Sequence, residues 1–245
     1  MSAKDIVVKP ISSKEANALV KRVHYSGKVV SNSQLHLGVF FAGSLEGVMS
    51  FGPSLDKSKV IGLVKDTAWN GFLELNRMAF TDVLPKNSES RAISVAMKML
   101  KKHAPKVEWV ISFADGTQCG DGTIYRASGF SLTGLKKNKT ILKMPNGEIM
   151  TDLSLNVGLP GGGNATYWKK NGAAPLAGFQ LRYMYFLNSE AKDRLTVPIL
   201  PFSEIQRQGA TMYKGIGGRS IDSDATGFQS EQGGATPTLL LHPKD

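Results

Sequence analysis

The chain has 245 residues, 41% of them apolar, a net charge of +10 and one cysteine, Cys119. Its length allows one substantial core, but no apolar run reaches the 18 residues of a membrane span. The first residues lack the apolar block of a secretory signal, and a lone cysteine excludes an intrachain disulfide framework. The excess positive charge falls on residues 1–207, which favours a polyanionic partner such as DNA or RNA, although many basic proteins bind neither.

The first half of the chain alternates strands with helices. Ser12 and Glu15 form a capping-box pattern, and the apolar residues after them repeat with the period of a helix. Two β-rich runs joined by a short glycine turn predict a hairpin. The predicted elements are a strand at 6–9, a helix at 13–23, hairpin strands at 35–42 and 45–51, a loop at 53–70 and a strand at 72–80.

The second half begins with a long amphipathic helix pattern and a nearly continuous apolar strand. The predicted elements are a helix at 89–103, a strand at 107–113, a helix near 121–128, strands at 130–133, 140–144 and 148–153, a loop at 157–176 and a strand at 179–187. Beyond residue 207 the composition turns to Gly, Ser, Thr and Asp. We therefore expect a folded domain at 1–207 and a disordered tail at 208–245.

The strand that ends near Asp115 is followed by a glycine-rich turn and a short helix pattern. Glycines and a helix start bring backbone N–H groups and one carboxylate to the end of a strand, where sheets often bind ligands. This order of elements over residues 5–190 resembles the GNAT acyltransferase fold, which implies a mixed α/β domain whose mostly antiparallel central sheet is flanked by helices.

Five short motifs, in order, resemble the bacteriophage Mom family: His24-Tyr25-Ser26, Glu74-Leu75-Asn76-Arg77, Asn87-Ser88-Glu89-Ser90-Arg91, Phe113-Ala114-Asp115 and Gly122-Thr123-Ile124-Tyr125. Each is weak alone, but together they are specific. The resemblance implies an enzyme of the bacterial host's cytoplasm that converts the exocyclic amine of adenine in double-stranded phage DNA to a carbamoylmethylamino group, which blocks host restriction. Such an enzyme must extrude its target base from the duplex or bind it unpaired.

The resemblance makes His24, Tyr25 and Asp115 candidate catalytic residues. Candidate contacts to the donor or the base are Glu74, Asn76, Arg77, Ser90, Arg91 and Tyr125. The sequence also allows a purely structural role for each of several candidates. These roles are a helix cap for Asp115, a charge at a helix end for His24, an ion pair for Glu74 with Arg77, and a core position for Tyr125. His24 and Asp115 are also candidate ligands of iron, which the resemblance allows.

The prediction of the acyl donor depends on the start of the long helix, where this chain differs from acetyltransferases of the GNAT fold. Acetyltransferases of this fold begin their main helix with glycines whose bare backbone amides bind the pyrophosphate of coenzyme A. Here that segment reads Asn87-Ser88-Glu89-Ser90-Arg91-Ala92, without a glycine. This favours glycyl-tRNA as the donor, with acetyl coenzyme A as the alternative. Two other functions stay open, an acetyltransferase of a small amine or protein and a non-catalytic DNA-binding protein.

Overall fold

The computed structural model describes residues 2–118, 120–156 and 163–210, and a short 3₁₀ turn (Ala3–Asp5) precedes the first strand. The strands are β1 (Val7–Pro10), β2 (Leu35–Phe41), β3 (Ser44–Gly52), β4 (Phe72–Phe80), β5 (Trp109–Asp115), β6 (Ser131–Lys137), β7 (Ile141–Lys143), β8 (Ile149–Thr151), β9 (Ala174–Pro175) and β10 (Phe179–Phe186). The helices are α1 (Ser13–Val23), α2 (Lys57–Ile61), α3 (Ser88–His103), α4 (Thr123–Ala127), α5 (Asp152–Asn156), α6 (Ala165–Lys170), α7 (Ser189–Asp193) and α8 (Ser203–Arg207).

The main sheet has seven strands in the order β1-β2-β3-β4-β5-β10-β6. Only β4 and β5 run parallel, and their pairing is short, joining residues 72–74 to residues 109–111. All the other neighbours in this sheet are antiparallel. The mixed, mostly antiparallel sheet with flanking helices that the sequence predicts is thus confirmed.

Helices cover both faces of this sheet because successive strand residues point to opposite sides. Met49 of β3 packs in a large core cluster with Ile93 and Met97 of α3. Its neighbour Val48 packs on the other face, in a cluster with Leu19 of α1. The capping box predicted for α1 is present, since the Ser12 side chain accepts from the Glu15 backbone N–H and the Glu15 carboxylate accepts from the Ser12 N–H.

An insertion leaves the main sheet after β6 and returns at β10. It contains a second sheet in the order β8-β7-β9 and the helices α5 and α6. This insertion has a small core of its own, in which Leu142, Met150, Leu155 and Ala173 are buried. It therefore forms a compact unit attached to the edge of the main sheet.

Several short helices depart from the sequence prediction. The loop expected at 53–70 is wrong at α2, whose Val60 packs with Phe72 and Trp109. The loop expected at 157–176 is wrong at α6, which Asn164 caps by accepting from the Tyr167 backbone N–H, and at β9. Elements this short show too few turns for a recognisable period, so tertiary packing decides them.

The end of the described chain bears on the predicted domain boundary. Ala210 is 3% exposed and belongs to the main core cluster, so packed structure continues three residues past position 207. Residues 211–245, most of the tail expected to be disordered, lie outside the described residues, as does Cys119. None of the described helices is both long and apolar enough to cross a lipid bilayer.

Candidate active site

A cavity of about 550 Å³ opens where β4 and β5 separate beyond their short parallel pairing. Strand separation leaves a gap in the sheet that side chains do not fill. The wall consists of the end of α1 (residues 23–25), the second half of β4 (residues 75–80), Glu89 of α3, the end of β5 (residues 113–115), Gln118 and residues 120–125. The cavity thus collects residues from all five motifs seen in the sequence, although Glu89 is the only one of its motif to reach the wall within the described residues.

Tyr25 and Asp115 meet across this cavity although 90 residues separate them. The Tyr25 hydroxyl donates to Asp115 Oδ2 at 3.2 Å, and Tyr25 is 49% exposed. The rings of His24 and Tyr25 pack against each other with their centroids 4.3 Å apart. The three residues predicted as catalytic therefore form one contiguous group.

Asp115 also holds the turn that follows β5. Its Oδ1 accepts from the Thr117 backbone N–H at 2.9 Å and from the Thr117 hydroxyl at 2.5 Å, and its Oδ2 accepts from Gln118 Nε2 at 3.2 Å. With Tyr25 these donors use the four lone-pair positions of a carboxylate. Asp115 is therefore positioned to orient Tyr25, and Tyr25 presents its hydroxyl to the cavity. The alternative of a cap for α4 is not what the structure has, because the carboxylate that accepts from the backbone N–H of Thr123 at the start of α4 is that of Asp121.

His24 is held in the neutral state. Burial is the main cause that lowers its pKa from 6.5 to about 4, and the nearby charge of Arg77 adds to the effect. Nδ1 accepts from the Ser26 backbone N–H at 3.1 Å, and Arg77 Nη1 lies 3.4 Å from Nε2. At neutral pH the ring therefore carries no charge. This differs from the structural alternative, in which a positively charged His24 stabilises the C-terminal end of α1.

These surroundings do not fit iron at His24. One ring nitrogen is bonded to the backbone, and the other faces a guanidinium whose charge repels a metal cation. Among residues 2–118, 120–156 and 163–210, no group of three or more His, Cys, Asp or Glu side chains is arranged to hold a metal ion.

The three candidates on β4 occupy different positions. Asn76 and Arg77 line the cavity, and Asn76 Oδ1 accepts from the Ser33 hydroxyl at 2.8 Å. Glu74 lies outside the cavity wall and is partly buried. Burial raises its pKa, while a hydrogen bond from Ser54 and the charge of Arg77 partly offset that effect. The charge of Arg77 therefore acts on Glu74 through space.

Tyr125 lies in the core and reaches the cavity only with part of its surface. It is 7% exposed and packs against Phe130 and Tyr183. Its hydroxyl lies 2.8 Å from the Ser112 hydroxyl. Stacking on an extruded base would require this ring to leave its packing, so the core alternative describes the observed position.

Ser90 and Arg91 do not line the cavity. The Ser90 hydroxyl donates to the Asn87 carbonyl at 3.2 Å, within its own turn, and Arg91 is exposed. Glu89 is the residue of this motif that reaches the cavity wall. The sequence does not predict which residue of this motif lines the cavity, because that depends on how α3 packs against the sheet.

The turn before α4 supplies residues 120–122 to the cavity wall, and contacts that the sequence does not predict hold it in place. Asp121 is 1% exposed and pairs with Arg126 Nη2 at 3.2 Å. The Tyr183 hydroxyl donates to the Asp121 carbonyl at 2.6 Å. Gly122 has a φ of 80°, and a Cβ there would lie 2.4 Å from Tyr183 Cε2. This turn is thus fixed by charge pairing and by a close approach that only glycine permits.

Comparison with known proteins decides the family. The Mom protein family matches residues 5–204. The chain is 39% identical over 200 residues to the methylcarbamoylase mom of Escherichia phage Mu, covering 80% of this chain and 82% of that protein. The chain belongs to the Mom protein family. The resemblance found in the sequence is thus confirmed.

Solved structures similar to this Mom-family protein include two acetyltransferases. A GNAT family acetyltransferase from Elizabethkingia anophelis with acetyl-CoA bound is 11% identical, with a TM-score of 0.42 over 74% of this chain and 98% of that one. A spermidine/spermine N-acetyltransferase from Vibrio cholerae in complex with manganese ions is 7% identical, with a TM-score of 0.45 over 78% of this chain and 98% of that one.

Proposed function

We propose that this protein is a phage-type enzyme that converts the N6 amine of adenine in DNA to a carbamoylmethylamino group and so protects the DNA from host restriction. The observation that carries the proposal is the 39% identity to a methylcarbamoylase over most of both chains. The contact between Tyr25 and Asp115 in an open cavity supports it, because it joins two of the residues that resemble the family's motifs.

The cavity suits an extruded base. Its volume of about 550 Å³ falls within the range of small-molecule pockets, which is about 300–1,000 Å³. Extrusion costs a few kcal/mol of stacking and pairing energy, which contacts within the pocket must offset. The apolar side chains of Leu75, Phe113 and Ile124 in the wall can pack against a flat ring, while polar groups nearby can bond its edge.

Tyr25 is the proposed acceptor of the N6 proton. Its hydroxyl donates to Asp115 and lies at the cavity, where a phenolic oxygen can accept an N6–H of the bound adenine. As N6 attacks an acyl carbonyl, the proton passes to the Tyr25 oxygen, and the phenolic proton passes to Asp115. Neutral His24 packs beside Tyr25 and fixes its ring, and the cation of Arg77 stabilises the negative oxygen of the tetrahedral intermediate.

Glycyl-tRNA is the proposed donor. In the first step N6 bonds to the glycyl carbonyl carbon, the ester bond breaks, and the tRNA hydroxyl leaves with a proton. In the second step the free glycyl amine attacks ring carbon C6, and the original C6–N6 bond breaks. The original N6 becomes the amide nitrogen, and the product is the carbamoylmethylamino group. The internal attack forms a five-membered ring, which proximity favours.

The start of α3 favours this donor over acetyl coenzyme A. Asn87 caps the helix in the left-handed conformation without a side-chain hydrogen bond, and the acidic residue Glu89 lines the cavity. A pyrophosphate brought to these backbone N–H groups would meet side chains and a like charge. The exposed cations of Lys86 and Arg91 remain beside this turn, where a more distant phosphate of a larger donor can reach them.

The test is mass spectrometry of nucleosides from the DNA of bacteria that express the protein. We expect deoxyadenosine that carries a carbamoylmethyl group. Tyr25→Phe, which removes one oxygen and keeps the ring beside His24, should lower the modified fraction by a factor of about 10²–10⁴. Tyr185→Phe, at a partly exposed tyrosine of β10 that does not line the cavity, is the matched control. Folded wild-type protein that leaves the DNA unmodified would contradict the proposal, and an acetylated small amine or protein would indicate an ordinary acetyltransferase.

A further inference from the structure

The insertion between β6 and β10 is joined to the main sheet by hydrogen bonds at its base. We name this insertion, together with the last two residues of β6 that lead into it, the inserted arm; its described residues are 136–156 and 163–178. Asn138, which is 4% exposed, fastens its base: its Oδ1 accepts from the backbone N–H groups of Thr140 and Ile141, and its Nδ2 donates to the carbonyls of Ile141 and Leu176. The Asn138 N–H donates to the Gly178 carbonyl, which closes the two ends of the arm on each other. The arm therefore holds a defined position.

That position is beside the cavity. The Gly116 N–H donates to the Phe179 carbonyl at 2.8 Å, and a Cβ at Gly178 would lie 2.5 Å from the Gly116 carbonyl oxygen. The base of the arm thus packs on the turn that Asp115 begins. On its other side Lys28 Nζ lies 3.9 Å from Met150 Sδ of the arm. The arm therefore contacts both segments that carry the catalytic candidates.

The arm is also strongly basic on its surface. It contains six lysines and two acidic residues, and all six lysines are exposed: Lys136, Lys137, Lys139, Lys143, Lys169 and Lys170. One of the two acids, Asp152, is already paired with Lys169 at 2.9 Å. Tyr167, on the same helix as Lys169, is 51% exposed and presents an aromatic ring to solvent.

We infer that the inserted arm is the docking surface for the phosphate backbone of duplex DNA, and that it holds the duplex over the cavity. Exposed lysines beside a cavity neutralise phosphates without reading sequence, and they fix the position of the duplex relative to the extruded base. An exposed aromatic ring among them can pack on a sugar or an unpaired base. This inference rests on the proposed function for the choice of DNA over other polyanions.

The C-terminal end of α3 supplies a matched control surface. Lys98, Lys101 and Lys102 lie in the second half of the helix, about 15–21 Å along it from its start at the cavity, and Lys106 follows the helix; all four are exposed. Lysines near the C-terminus of a helix have a local explanation, because they stabilise the helix dipole. Removing these four changes the net charge as much as removing four lysines of the arm, but at a distance from the cavity.

The experiment compares two full-length variants with wild type. The arm variant carries Lys136→Gln, Lys139→Gln, Lys143→Gln and Lys170→Gln, four side chains that form no ion pair within the described residues. The control variant carries the same substitution at the four α3 lysines. Thermal melting confirms that each is folded, and fluorescence anisotropy with a labelled DNA duplex gives the dissociation constant at several salt concentrations.

We expect the arm variant to bind duplex DNA at least about tenfold more weakly than wild type at moderate salt. The slope of the logarithm of the binding constant against the logarithm of salt concentration should be shallower by about 0.9 for each lost phosphate contact. The control variant should stay near wild type. Equal weakening of both variants, or of neither, would overturn the inference, as would an arm variant that loses affinity for tRNA but keeps its affinity for duplex DNA. Binding is measured apart from chemistry, so wild type that binds through the arm yet leaves adenine unmodified would refute the proposed function alone.

Discussion

The lowered pKa of His24 predicts how the folding stability of the protein depends on pH. Its pKa falls from 6.5 to about 4 on folding, mainly through burial. Between these values the unfolded chain binds more protons than the folded one, so stability rises as pH rises and is lost as pH falls below 6.5. For this shift the loss between about pH 7 and about pH 5 is about 2 kcal/mol, which partial exposure of the ring reduces to about 1 kcal/mol.

His24→Asn is the variant that isolates this effect. The Asn Oδ1 can still accept from the Ser26 N–H, but the side chain does not titrate. Urea unfolding at both pH values should show that wild type loses about 1 kcal/mol more than the variant as the pH falls. An NMR titration of the His24 ring should give the low pKa directly. An identical pH dependence in the two proteins, or a ring that titrates near 6.5, would refute the reasoning.

Three further predictions concern the turn, the donor and the tail. Gly43→Ala should lower the folding stability by about 1 kcal/mol, because of the left-handed backbone alone. Gly122→Ala should lower it more, because the added Cβ would also lie 2.4 Å from Tyr183. Comparable melting temperatures for the two variants would contradict the packing argument. With purified protein, duplex DNA and ¹⁵N-glycyl-tRNA, the label should appear on the nitrogen bound to C6 and be absent from the amide; label from acetyl coenzyme A in the product would exclude this donor. Deletion of residues 211–245, which carry little net charge, should leave most of the modifying activity in the nucleoside assay, and a folded but inactive protein would assign that segment a role.

Local sequence signals predicted much of the fold. The capping box of Ser12 and Glu15, the amphipathic pattern of α3 and the apolar run of β5 each predict their element within a few residues. They succeed because hydrogen bonding at a helix start and the period of buried side chains act over short stretches of chain. The five motifs also indicate the family, and the predicted catalytic trio does come together.

Only the tertiary structure decided the chemistry of the site. The contact of Tyr25 with Asp115 spans 90 residues, and the neutral state of His24 depends on burial and on Arg77, 53 residues away. No local pattern encodes such pairs, because they arise from the packing of α1 against the sheet. The same holds for the Asp121 carbonyl, which accepts from the Tyr183 hydroxyl, 62 residues away, only when the turn before α4 packs on β10. Sequence therefore determined which residues were available, and packing determined their charge states and contacts.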